Sequence, residues 1–144
     1  MKKSRSIFRI TIVIIITISV TVIFFQCRSS RQLRITEAHF TAPVVAGATE
    51  SSAHAQDLVI YTAGNAHYPL KASFWMINAS QSGDYNVATI EIQKPGDPIV
   101  LPEFYKFYGF SSPVDVVYGL SLEEESAGGQ KTKPYNMHIH VNTL

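Results

Sequence analysis

"YNVATIEIQKPGDPIV", residues 85–100, decides how the chain folds. In its first half Val87, Thr89 and Glu91 alternate with Ala88, Ile90 and Ile92, the two-residue period of a strand with one dry face and one wet face. "KPGDP" (94–98) follows, where proline and glycine bend the chain and a second proline blocks regular pairing directly afterwards. The unit is strand, then turn.

Working outward, the same unit recurs. "DLVIYTA" (57–63), "KASFWMINA" (71–79), "VDVVYGLSL" (114–122) and "YNMHIHVNTL" (135–144) are β-rich runs, and "IVLPEFYKFYGF" (99–110) holds one or two more. Between them stand the turns "GNAHYP" and "SQSGD" and the polar loop "EEESAGGQKTKP". Parallel sheets need crossover helices, and residues 57–144 leave no room for them. An all-β, antiparallel β-sandwich of six or seven strands is therefore expected, Ig-like or similar in kind. The disulfide usual in immunoglobulin domains is excluded, because the only cysteine, Cys27, lies before this region. Ile60, Phe74, Trp75, Ile90, Val116 and Ile139 are the expected core, and Glu123, Glu124 and Glu125 are expected in a solvated loop.

The beginning of the chain has a different character. All five arginines and no acidic residue lie within residues 1–34, which carry +7; from Ile35 onward five lysines face eleven carboxylates, a net −6. An acidic domain without arginine has little with which to hold a phosphate backbone, so nucleic acid is not an expected partner. Residues 10–25 hold no charge, and residues 7–25 as a helix span about 28 Å, close to a hydrocarbon core. A single membrane-spanning helix over about 7–25, inside a basic segment 1–34, is expected. Arg9 and Arg28 can reach the headgroups on either side.

Three fates compete at "FFQCRSSR" (24–31). Phe24, Phe25 and Gln26 are too bulky for the small-residue site a signal peptidase needs. Acylation of Cys27 is the weaker alternative, since that chemistry favours a small residue where Gln26 stands. A retained anchor is the expectation. Lys2, Lys3, Arg5 and Arg9 outnumber the basic residues after the helix, which places the amino end in the cytoplasm and the domain in a periplasm or at a cell surface.

Residues 35–56, rich in alanine, serine and threonine, show neither period and are expected to be a flexible tether of about 25 Å reach. Its rival is a first strand in "HFTAPVVAG" that buries Phe40, Val44 and Val45.

Two features suggest chemistry. In "MHIH" a strand places His138 and His140 on one face, as two ligands of a zinc or copper site would begin; His67 and Asp84 are candidate further ligands, although a solvent-facing strand gives the same pattern. "FYKFYGF" holds Phe104, Tyr105, Phe107, Tyr108 and Phe110, either a strand covered on both faces or an aromatic patch for a protein partner. No GxSxG elbow or phosphate-cradling glycine loop is present. Asn78 begins a glycosylation sequon. The expected function is non-enzymatic: a membrane-tethered module for protein interaction or envelope assembly, working through a sheet edge or the aromatic segment. A metal-binding domain built on His138 and His140 is the alternative, and a lipoprotein acylated on Cys27 a weaker one.

Overall fold

The computed structural model describes residues 32–77 and 85–143. The helix expected over 7–25, its basic collar, Cys27, Asn78 and Asp84 lie outside them. Eight strands run in chain order: β1 (Arg34–Phe40), β2 (Val45–Ala46), β3 (Ala55–Ala63), β4 (Leu70–Ile77), β5 (Tyr85–Ile92), β6 (Ile99–Lys106), β7 (Val114–Glu124) and β8 (Tyr135–Thr143). They form two sheets, ordered β1-β3-β6 and β2-β8-β7-β4-β5. All pairings are antiparallel except β2 with β8. Among the described residues there is no helix.

The alternation in β5 holds from Ala88 to Ile92, but a register shift opposite Phe74 and Trp75 skips Val87, which packs against the core instead of facing water with Thr89 and Glu91. Ala88, Ile90 and Ile92 stand opposite Phe74, Ala72 and Leu70 of β4, while Thr89 and Glu91 face water. On β4 and β7 the inward positions continue as Leu70, Ala72 and Phe74 against Leu120, Leu122 and Tyr118, all buried. Leu58 and Ile60 of β3 and Ile99 and Leu101 of β6 close the other side of the same core. Ile60, Phe74 and Ile139 are buried as expected, whereas Ile90 and Val116 are half-buried at its margin.

Trp75 departs from expectation because it falls on the outer face of β4. There it stands opposite Gly119 of β7, and its ring occupies the space where a side chain at 119 would begin: a Cβ there would lie 2.2 Å from the indole. A large flat ring shields the backbone of its glycine neighbour, a pairing that stabilises sheets at the edge of a core as well as within it.

The expected tether over 35–56 is corrected. Arg34–Phe40 pairs with β3 from Arg34↔Ala63 to Phe40↔Leu58, and Leu33, 1% exposed, receives Gln130 Oε1 on its N–H at 2.8 Å. The folded unit begins at Leu33 rather than Asp57. Its apolar residues are too widely spaced to reveal a strand: Ile35, Ala38 and Phe40 turn inward only because a bulge between Ile35 and Glu37 resets the alternation.

A second bulge governs β6. Gln56 stands opposite Tyr105 but Leu58 stands opposite Leu101, so Pro102, Glu103 and Phe104 together oppose Asp57. Glu103 adopts a left-handed conformation, φ 48°, and its N–H donates to Asp57 Oδ1 at 2.8 Å. The inward residues of this stretch are consequently three apart: Leu101, Phe104 and Phe107.

Candidate functional site

The first strand of the fold is shared between the sheets. β1 lies on β3, the chain turns through Thr41, Ala42 and Pro43, and β2 then joins β8 at Val45↔Asn142 and Ala46↔Thr143. Thr41 N–H still reaches Asp57 of the first sheet at 3.1 Å, and Asn142 N–H already reaches the Val44 carbonyl of the second at 2.9 Å. The switch is complete within three residues.

This switch leaves an edge uncovered. Among the described residues no strand pairs with β8 from Tyr135 to Val141 on the side opposite β7. The Asn142 amide fixes which groups point there, because alternate N–H groups of a strand share a direction. Those of His140, His138 and Asn136 point to the same open side. Between this edge and β1 runs a groove of about 360 Å³, with Phe40, Met137 and Ile139 toward its floor and His39, His138 and His140 among its rim. Exposed backbone donors beside apolar pockets are what an added strand uses.

The two expected histidines do share one exposed face. His140 Nδ1 lies 2.7 Å from Asp115 Oδ1, its register partner on β7, while His138 stands opposite Val117. His39 across the groove lies 3.2 Å from Glu37 and stacks on Tyr61. Such exposed pairs contribute little to stability. Among the described residues no three histidine, cysteine, aspartate or glutamate side chains gather as a metal ion would need. His67, one of the proposed further ligands, sits in the β3–β4 loop, where its N–H donates to Glu124.

The aromatic segment does not form one patch. Phe104 and Phe107 are buried, Tyr105 and Phe110 are half-buried against the core, and only Tyr108, 46% exposed, presents itself to solvent. The expected partner surface of five rings is corrected to one ring, because the bulge at Glu103 turns both phenylalanines inward. There they join Phe40, Phe74 and Tyr118 in edge-on and stacked contacts, the closest being Phe74 over Tyr118 at 4.6 Å between centroids.

Burial, the larger cause, together with neighbouring phenols raises both Tyr105 and Tyr118 above the ordinary tyrosine pKa. The fold thus disfavours phenolate more than the unfolded chain does. Stability from this source is complete below about pH 10 and is lost as pH rises beyond it. Urea unfolding between pH 8 and 11 is expected to show that decline, and a Tyr105→Phe, Tyr118→Phe double variant to show a shallower one.

Glu124, expected with Glu123 and Glu125 in a solvated loop, is instead the last residue of β7. It is 5% exposed and its two oxygens accept the N–H groups of His67 and Gln130, both at 2.9 Å. Burial alone would raise its pKa, but these amides outweigh it, aided by the His67 ring, and the carboxyl is held below its ordinary value. Gln130 in turn holds Leu33, so one carboxylate fixes both loops at this end and the entry of the chain.

The chain matches no protein-family model, and no curated protein is similar to it in sequence.

Proposed function

We propose that this chain is a membrane-tethered docking module, non-enzymatic, whose β8 edge accepts an extended segment of a partner protein. The observation that carries the proposal is the open side of Tyr135–Val141, with its row of outward N–H groups beside an apolar-floored groove. Main-chain hydrogen bonds supply affinity in such strand addition, and alternate side chains entering the groove supply selectivity. β2 already docks in this way on the last two residues of β8.

The finer architecture fits this role. In this proposal the sheets β1-β3-β6 and β2-β8-β7-β4-β5, with a first strand divided between them, are those of an Ig-like sandwich whose sheet holding the last strand has five strands, two beyond the usual three. In this proposal the apolar run over about 7–25 is the anchor, with the amino end in the cytoplasm and the domain in a periplasm or at a cell surface. Holding the edge near the bilayer raises its effective concentration toward partners on the same membrane.

A photoreactive residue replacing Asn136 in the full chain is expected to crosslink a membrane-associated partner. His140→Pro removes one outward N–H and spares the ladder with β7, a placement proline tolerates at an edge. It is expected to lower the crosslinked yield about tenfold, the equivalent of ~1.4 kcal/mol. Deleting residues 7–25 should release the chain from the membrane pellet. An undiminished yield from His140→Pro overturns the edge, and a deletion variant that still pellets overturns the anchor.

A further inference from the structure

A second concavity lies on the opposite region of the larger sheet, on its outer face. It is about 400 Å³ in volume and is lined by Ser73, Trp75, Asn86, Ser121, Lys131 and Pro134. Its centre is built by register: Trp75 stands opposite Gly119 and Ser73 opposite Ser121 on the neighbouring strand. Glycine at 119 is what makes the arrangement possible, because any side chain there would collide with the indole and lift it from the sheet.

The ring is therefore fixed on one side by backbone and lines a cavity bordered by the half-buried Ser73 and, at its base, by Ser121, which is 3% exposed. Asn86 braces the rim. With its amide oriented to satisfy every neighbour, its nitrogen donates to the Phe74 carbonyl at 3.1 Å and its oxygen accepts from the Thr89 hydroxyl. Lys131 is neutralised by Glu123 at 3.0 Å.

The lining selects a chemical class. Among the described residues no carboxylate and no unpaired cation line it, and the net −6 of residues 35–144 repels anions. Its lining is mainly apolar, from the indole and Pro134, with hydroxyl and amide groups as the polar minority. A rigid indole face beside hydroxyl and amide groups suits a ligand with a C–H face and a hydroxyl rim. We infer that this cavity binds one ring of a neutral saccharide, stacked on Trp75 and hydrogen-bonded through Ser73 and Ser121.

Trp75 is the sole tryptophan, so its emission reports the cavity directly. Chitotriose, cellotriose and maltotriose are titrated into the full chain, held in a detergent whose headgroup is not a sugar. At least one is expected to change the emission saturably at a Kd below about 1 mM, which corresponds to a modest ~4 kcal/mol of binding. Ser121→Ala removes one hydroxyl without adding bulk and is expected to weaken that Kd about tenfold, as the loss of a hydrogen bond does. Trp75→Phe, followed by calorimetry, is expected to abolish binding while leaving the melting transition cooperative. If none of the three sugars changes the emission at 10 mM (roughly −2.7 kcal/mol of affinity excluded), or if Ser121→Ala binds as the parent does, the inference is wrong.

Discussion

Phe107→Ala is expected to destabilise the domain by about 3–5 kcal/mol, the range for emptying a phenylalanine-sized space in a core that cannot collapse. Its ring is fully buried and packs edge-on against Tyr105 two residues earlier and against Phe40 of β1 and Tyr118 of β7. Both sheets meet at this ring, so its loss leaves a void that neither sheet can fill alone. For a domain of this size the melting temperature should fall by more than about 12 °C. Tyr108→Ala, one residue on, should cost no more than about 1 kcal/mol, because nearly half of its side chain is already in water. Thermal melts of the two variants compare them directly. Equal and small effects would mean that the segment lies on the surface after all.

Glu124→Ala is the second large effect, with about 1–3 kcal/mol lost as two partly buried backbone N–H groups are left without their acceptor. Glu124→Gln keeps an acceptor but loses the charge, and should cost about half as much. The sign of the pH dependence follows from the lowered carboxyl pKa. Because the folded value lies below the unfolded one, this contribution is present above about pH 4.3, the ordinary glutamate value, and disappears as pH falls through the folded value. Urea melts from pH 7 to pH 3 should therefore show a decline in the parent that is shallower in Glu124→Gln. A parent and variant with parallel pH profiles would remove the carboxylate from the account.

What could be read from the chain was the part written in plain periods. β3, β4, β5, β7 and β8 all fall within a residue or two of their apolar runs, since a short β-rich stretch bounded by turn residues marks a strand even where a bulge interrupts its period, as at Val87. β1 escaped because its alternation is broken between Ile35 and Glu37, and an interrupted period resembles a polar linker. Strict alternation would set Phe104 and Phe107 on opposite faces, whereas the extra residues at Pro102 and Glu103 bring both inside. His138 and His140 were correctly placed on one face, but nothing in their spacing could show that Asp115 would be the neighbour of His140. Glu124 was hidden by its surroundings: one acid in a run of three gives no hint that its oxygens will meet two amides 6 and 57 residues away. The open side of β8 was legible only in outline, because which strand ends up uncovered depends on where the first strand changes sheets.

The bulge of β6 has a consequence for how this stretch can drift in evolution. Pro102 and Glu103 are exposed, and many replacements there would pass unnoticed by the interior. Their number is another matter. Losing or gaining one residue would carry Phe104 and everything after it half a repeat out of phase, turning aromatic weight toward water and lysine toward the middle. The stretch is thus lenient about spelling and strict about length.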